Sequence, residues 1–276
     1  PDFLNPEKLD SEMRRVFDIC HGCRRCFNLC ESFPKLFDLI DESKSGELDT
    51  VKSEDFKDVV DACTLCDMCF LTKCPYVPPH EFNLDFPHLM LRYRVAERKK
   101  KKNSLINDQL TKTDRNGKFF SKFSNLANWS TNTKNKVTRP IMELLLKIDK
   151  EADLPKFYKD TLMKSIKKDE TNSLNKPIDK VVIFPTCFVN YNNPNLGIIT
   201  KKILDEFGVE NKFFYEGCCG MPQLEGGDIE SVTKKAMETS QKLKDFIKDG
   251  YKILSVVPSC TLMLKYEWPL LLPGSE

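Results

Sequence analysis

The sequence predicts an α + α/β protein: an α-helical segment over 1–98, a helical connector over 99–176 and a parallel α/β segment over 177–276. Three observations carry this. Apolar residues recur at helical spacing before residue 98. After Lys180, short apolar runs alternate with helical stretches. The 12 cysteines avoid the connector altogether.

In the first segment, Asn5-Pro6-Glu7 reads as a helix start, because proline is tolerated in the first turn. Leu9, Met13, Val16, Phe17 and Cys20 then follow a helical period. Pro34 opens a second helix through Leu36, Phe37, Leu39 and Ile40. A polar loop fills Glu42 to Ser53. Phe56, Val59, Val60 and Cys63 form a third helical stripe, and a further helix is expected from His88 to Arg98. Two helix-plus-cysteine units thus make an internal repeat.

The connector opens on a basic block, Arg98 to Lys102, and is expected to hold two or three helices among mobile polar stretches. Charge follows the same division. Residues 1–91 hold 10 Lys/Arg against 18 Asp/Glu, a net −8, whereas residues 92–150 hold 16 against 5, a net +11. Basic residues beside Phe119, Phe120, Phe123 and Trp129 raise nucleic acid or an anionic membrane as partners. No recognition motif accompanies them, so a solvated linker is the expectation and nucleic acid is not.

In the last segment, Val181 to Phe184 reads as a strand ending at Pro185-Thr186-Cys187, followed by a helix from about Asn195 to Phe207. Lys212 to Tyr215 is a second strand, ending in Glu216-Gly217-Cys218-Cys219-Gly220. A helix from Asp228 to Lys248 leads to a third strand, Ile253 to Val257, ending at Pro258-Ser259-Cys260. This βαβαβ order implies a parallel, helix-covered sheet. All four cysteines fall just past strand C-termini, where open α/β sheets place ligands.

The first cysteine run, Cys20, Cys23, Cys26 and Cys30, has the C-x2-C-x2-C-x3-C spacing of bacterial ferredoxins. The second, Cys63, Cys66 and Cys69, is followed by Cys74-Pro75 with a gap one residue longer. Each iron of a cubane takes one thiolate, and in two-cluster ferredoxins the distant fourth cysteine serves the other cluster. The spacing therefore assigns Cys20, Cys23, Cys26 and Cys74 to one [4Fe–4S] cluster, and Cys63, Cys66, Cys69 and Cys30 to a second. Structural zinc also accepts four thiolates, but it usually uses two separated C-x-x-C pairs. His21, His80 and His88 read as surface or packing residues. Arg24 and Arg25, beside the first run, either tune its cluster or are simply solvated.

Cys218-Cys219-Gly220 is a different arrangement. Adjacent thiolates do not readily face one tetrahedral ion, yet they can bridge neighbouring metals. With Cys187 and Cys260 they are read as one site for an additional iron–sulfur cluster or a zinc ion; a buried thiol pair or a redox disulfide is the alternative. Gly217 and Gly220 allow a backbone that hugs a cofactor.

These motifs together resemble the cysteine-rich "CCG" iron–sulfur proteins. That group includes the glycolate oxidase iron–sulfur subunit, the anaerobic glycerol-3-phosphate dehydrogenase C subunit and heterodisulfide reductase B/D-type subunits. The resemblance covers about residues 10–98 and 178–272. Its first part is similar to the α-helical ferredoxin domain of fumarate reductase-type subunits, and its second to one half of a CCG pair. Two departures stand out: one CCG half is present where the family usually has two, and Met263 stands where the family tends to place a last cysteine. The resemblance implies an electron-transfer subunit of an oxidoreductase. A flavoprotein dehydrogenase partner would oxidise a hydroxy acid or polyol and pass electrons to a quinone or a disulfide. A heterodisulfide reductase-like catalyst and a non-catalytic redox-sensing or docking module are the rival readings.

The remaining features bound these readings. No Gly-x-Gly-x-x-Gly stretch, P-loop or Ser-His-Asp arrangement occurs, so flavin or nucleotide chemistry is expected from another subunit. No apolar run approaches the roughly 20 residues of a membrane span, the longest being Ile141 to Ile148. The start, Pro1 to Asn5, lacks an initiator methionine and the pattern of a signal peptide, which is the expectation for a trimmed or partial chain. Reduced thiols then point to the cytoplasm, with peripheral contact at the cytoplasmic membrane allowed.

Overall fold

A computed structural model describes residues 2–100, 105–166 and 177–274. Lys101 and Lys102 of the basic block lie outside the described residues. The chain forms two compact units: Pro1–Asn103 with Gln223–Ile229, and Ser104–Pro222 with Glu230–Glu276.

The first unit is helical. Helix α1, Pro6–Cys23, starts where the sequence places it. Asn5 Oδ1 accepts the Lys8 N–H at 3.0 Å, satisfying one of the donors that a helix N-terminus leaves unpaired. Leu9, Met13, Val16 and Phe17 form its buried stripe. Helix α2, Ser32–Asp41, buries Phe33, Leu36, Phe37 and Ile40, and α3, Phe56–Asp61, buries Phe56, Val59 and Val60. After a π-helical turn at Cys69–Lys73 comes α4, Phe86–Lys100, longer at both ends than the expected His88 to Arg98. Aromatic rings tie these helices together. Phe17 meets Phe56 edge-on at 5.1 Å between centroids, and Phe33 stacks on Phe86 at 4.7 Å. Each such side chain contributes roughly 1.5–3 kcal/mol by leaving water. Arg14 donates to the Leu48 carbonyl at 2.9 Å and the Val51 carbonyl at 3.1 Å, fastening the polar loop to α1.

The second unit combines helices and a sheet. Its first part carries α5, Leu105–Leu110; α6, Thr113–Lys122; α7, Ser124–Thr131; α8, Thr138–Leu146; and α9, Leu162–Ile166. Among the described residues that is five helices where two or three were expected. Most are too short to show a clear period, and α6, α7 and α8 have no side-chain cap to announce them. Phe119, Phe123 and Trp129 remain more than half exposed, with Phe119 packed against Phe120 and Phe123.

Strand β1, Asp179–Phe184, is followed by α10, Thr186–Tyr191, and α11, Pro194–Glu206. Then come β2, Val209–Phe213; α12, Met221–Glu225; α13, Ile229–Lys248; and β3, Lys252–Ser255. Helices α14, Pro258–Leu262, and α15, Trp268–Leu271, close the chain around a π-helical turn at Met263–Glu267. The sheet order is β2-β1-β3, all parallel, with Val182 opposite both Lys212 and Ile253. Central β1 is the most buried strand, Val182, Ile183 and Phe184 being 0–1% exposed. Strand β2 starts three residues earlier than expected. Its Glu210 and Asn211 break the apolar pattern, which an edge strand tolerates.

Two glycines mark close approaches. A Cβ on Gly117 of α6 would stand 2.3 Å from the Tyr191 ring of α10, and one on Gly197 of α11 would stand 2.3 Å from Leu162 of α9. The connector helices and the helices behind β1 are therefore packed face to face.

Candidate metal centres

In the first unit, Cys20 and Cys23 share a face of the last turn of α1. Arg24 then turns the chain in the left-handed region, with φ +50° and its N–H returned to the Cys20 carbonyl at 2.8 Å. This reversal ends α1 and carries the chain on to Cys26. In the second run, Leu65 and Asp67 both adopt positive φ, so the backbone curls between Cys63 and Cys69 instead of continuing α3. The Arg94 guanidinium donates to the carbonyls of Val60 and Cys63 and holds this curl. The Cys74 N–H returns to the Cys69 carbonyl at 2.8 Å.

One cavity is lined by Cys20, Cys23, Cys26 and Cys74, with Phe33, Phe37 and Leu84 as an apolar wall. A neighbouring cavity shares Cys20, Cys26 and Cys74 and adds Cys69 and Phe86. Cys30 and Cys66 are neighbours of Cys63, and Cys63, Cys26 and Cys66 are neighbours of Cys69. Cys66 is exposed and Cys63 buried. Burial, reinforced by neighbouring thiols, pushes Cys26 and Cys63 each up to about 11, and drives Cys20, Cys69 and Cys74 upward as well. Such a group is costly to ionise by itself, and a bound cation removes that cost.

The three histidines have protein partners. His21 pairs with Asp41 at 2.8 Å, His80 accepts from the Phe82 N–H at 3.1 Å, and His88 meets Asp85 at 2.8 Å. Arg24 binds Asp41 and lies over the Phe37 ring, so it braces the first run. Arg24 and His21 together hold the Asp41 carboxyl down at about 2.

In the second unit, each strand delivers cysteine to the C-terminal edge of the sheet. Cys187 lies in the first turn of α10, directly after Thr186, a buried β-branched residue at φ +74°. That conformation is unfavourable for threonine, and the hydroxyl accepting the Val189 N–H at 3.2 Å helps to hold it. Cys218 and Cys219 follow β2, and Cys260 lies in the first turn of α14 after β3. Cys187 and Cys260 thus stand at the ends of the two strands that flank the topological switch of a 2-1-3 sheet, the usual place for a ligand. The sequence places Cys187 and Cys260 just past strand C-termini, with no helix expected at either. Both belong to five- or six-residue helices, too short to be legible as a periodic pattern.

Cys187 Sγ stands 3.7 Å from Cys218 Sγ, and Cys219 Sγ 3.1 Å from Cys260 Sγ. Cys218 and Cys219 are also within hydrogen-bonding reach, so the four sulfurs form a connected chain. Within it Cys218 is the thiol pulled down, because Cys187 and Cys219 donate to it and the Gly220 N–H points at its sulfur from 3.4 Å. Cys187 and Cys219 are pushed up by the same contacts. Gly220 has φ +96°, and an added Cβ would press on Val232 at 3.1 Å.

The sulfur spacing bears on which metal fits. A tetrahedral zinc with Zn–S bonds of about 2.3 Å needs sulfurs about 3.8 Å apart. Among the described residues no three cysteine sulfurs lie mutually within 4.8 Å. The close pairs of the second site, at 3.7 and 3.1 Å, come near or below that spacing, but among the described residues no third cysteine sulfur stands within 4.8 Å of both members of either pair.

Several side chains at the second site were not legible in the sequence. Asp114 of α6 accepts the Cys218 N–H at 2.6 Å with Oδ2 and the Tyr215 hydroxyl with Oδ1. Burial raises its carboxyl above the ordinary range. Thr113 Oγ1 is buried without a nitrogen or oxygen partner among the described residues and lies against the Cys187 and Cys218 sulfurs. Buried Trp268 donates from Nε1 to the Cys219 carbonyl at 3.0 Å. None of these residues carries a spacing signal; only the fold brings them to the cysteines.

Residues 181–265 match the family described as the cysteine-rich domain, CCG. The chain is 29% identical over 168 residues to the C subunit of anaerobic glycerol-3-phosphate dehydrogenase from Escherichia coli (strain K12), covering 60% of this chain and 42% of that protein. It is 35% identical over 92 residues to lactate utilization protein A of Bacillus subtilis (strain 168), covering 33% and 36%. It is 30% identical over 86 residues to citrate utilization protein B of Escherichia coli, covering 31% and 20%. The chain therefore spans less than half the length of these curated relatives. No solved structure matches it. The family match thus falls within the C-terminal segment that carries Cys187, Cys218, Cys219 and Cys260, and no helix among the described residues is long and apolar enough to cross a membrane.

Proposed function

We propose that the chain is an iron–sulfur electron-transfer subunit of an oxidoreductase. The observation that carries this reading is the cavity in which Cys74 joins Cys20, Cys23 and Cys26. Four thiols from two separate runs around one apolar-walled space suit a cubane whose corners each take one thiolate. We assign that cluster to Cys20, Cys23, Cys26 and Cys74, and a second [4Fe–4S] cluster to Cys63, Cys66, Cys69 and Cys30. We assign Cys187, Cys218, Cys219 and Cys260 to a third site, for a further iron–sulfur cluster or a zinc ion, and prefer the cluster because the adjacent Cys218 and Cys219 do not readily face one tetrahedral ion.

When bound, such clusters supply one-electron transfer. The chain's own residues set the surroundings. Phe33, Phe37 and Leu84 keep water from the first cavity, and Arg94 fixes the backbone of the second run. Asp114, Gly220 and Trp268 hold the backbone and sulfurs of the CCG loop. We place the cluster-binding segment at 1–98, the connector at 99–176 and the CCG domain at 177–276. Because one relative is named as a dehydrogenase subunit, we infer a flavoprotein partner that oxidises a hydroxy acid or polyol, with a quinone or disulfide as acceptor. We propose that any contact of this segment with a bilayer is peripheral.

Dye reduction tests the reading. Anaerobic chain added to a flavoprotein dehydrogenase co-purified with it should accelerate substrate-dependent reduction of a quinone analogue, and a Cys74→Ser chain should not. Equal rates with and without the chain would contradict it.

A further inference from the structure

A cleft of about 760 Å³ opens in the second unit beside the CCG loop. That volume falls within the range of small-molecule sites. One wall is the exposed face of α6, where Arg115, Lys118 and Lys122 recur at helical spacing, and Lys164 of α9 adds a fourth cation. Aromatic lining comes from Tyr191 and Tyr215, with ring centroids 6.1 Å apart.

Two acidic groups also line the cleft, and both are already engaged. Glu216 pairs with Lys242 at 2.6 Å. Asp114 accepts from Tyr215 and Cys218 and has Lys235 at 3.7 Å. The four lining cations therefore leave the cleft positive. A second, independent observation points to a ligand. Ser121, only 2% exposed, lines the cleft, and its Oγ has no hydrogen-bond partner among the described residues. A buried hydroxyl left unpaired is costly, and an acceptor bound in the cleft would remove that cost.

We propose that this cleft binds a small organic anion carrying two or more acidic groups. The cations and the Ser121 hydroxyl would receive carboxylate or phosphate oxygens, and the tyrosine rings would pack on the carbon skeleton. Arg115, whose guanidinium is held by Gln109 and Asn116, contributes its charge to the cleft, and Lys118 and Lys122 supply exposed ammonium donors. Gly217, which lines the cleft, directly precedes Cys218 in the chain. The bound molecule therefore lies beside the CCG loop, where a redox partner or an effector of the cysteine site belongs. The proposal does not depend on which metal the four cysteines hold.

Calorimetric titration of the full anaerobic chain at fixed ionic strength tests it, with succinate, phosphoglycolate, neutral succinamide and sulfate as probes. Saturable one-to-one binding of succinate or phosphoglycolate, with none of succinamide, is the expected result; whichever binds tells carboxylate from phosphate recognition. Lys118 and Lys122 are exposed, so Lys118→Ala/Lys122→Ala should leave the fold intact and weaken binding at least tenfold. Ser121→Ala should weaken binding while raising the denaturation midpoint, because an unpaired buried hydroxyl is removed. No saturable binding, sulfate bound as tightly as the organic anions, or unchanged affinity in the double variant would overturn it.

Discussion

Asp114 accepts the backbone N–H of Cys218 at 2.6 Å, bridging 104 residues of chain. The same carboxylate takes the Tyr215 hydroxyl. The connector therefore helps to build the cysteine site as well as leading to it. Asn has one carbonyl oxygen, so Asp114→Asn keeps one of these bonds and sets an amide donor against the other. The expected outcome is a loss of about 1–3 kcal/mol of stability and a changed spectrum of the CCG centre. The EPR signals of the N-terminal clusters should not move. A variant indistinguishable from the parent by both measurements would remove Asp114 from the site.

Trp268 offers a second handle on the same loop, since its indole N–H reaches the Cys219 carbonyl at 3.0 Å. Trp268→Phe keeps an aromatic ring but removes the donor and part of the packing, leaving that buried carbonyl unpaired at a cost of about 1–3 kcal/mol, with a further cavity cost. Chemical denaturation should show a lowered midpoint, and the metal content of the CCG site should fall on dialysis. Unchanged metal retention would mean that the contact is only packing.

The glycine contacts predict where the connector is fixed to the helices behind β1. A Cβ at position 117 would overlap the Tyr191 ring, standing 2.3 Å from one of its carbons. Gly117→Ala should destabilise by about 1–3 kcal/mol, the usual result of overpacking. Gly22→Ala is the comparison, because nothing lies within 4 Å of a Cβ there. A denaturation midpoint for Gly117→Ala as high as that of Gly22→Ala would refute the close packing.

How far the sequence discloses this arrangement depends on the range of the interactions. Asn5-Pro6 and the stripe Leu9, Met13, Val16, Phe17 are local signals, and α1 follows from them directly. The βαβαβ order is also legible, because Val181 to Phe184 and Ile253 to Val257 are apolar runs separated by long helices. Strand β2 is blurred, since an edge position lets Glu210 and Asn211 interrupt its pattern. The cysteines declare themselves by spacing. Thr113 and Asp114 do not: in the polar stretch Lys112-Thr113-Asp114-Arg115 they look like any solvated helix start, and their role comes from a contact distant in sequence.

Crossed ligation gives a prediction that neighbouring cysteines in sequence would not suggest. Cys74→Ser should alter the cluster of Cys20, Cys23 and Cys26, whereas Cys30→Ser should alter the cluster of Cys63, Cys66 and Cys69. The two are separable by EPR relaxation in the reduced protein. If Cys30→Ser changed only the signal lost in Cys20→Ser, the assignment would be wrong.

The central claim is that the eight N-terminal cysteines hold two [4Fe–4S] clusters. Its most direct test is the iron and acid-labile sulfide content of the anaerobically purified full chain, measured in a variant with Cys187, Cys218, Cys219 and Cys260 all changed to Ser. About eight iron and eight sulfide per chain, the content of two cubanes, is the result expected. Stoichiometric zinc without sulfide would contradict it.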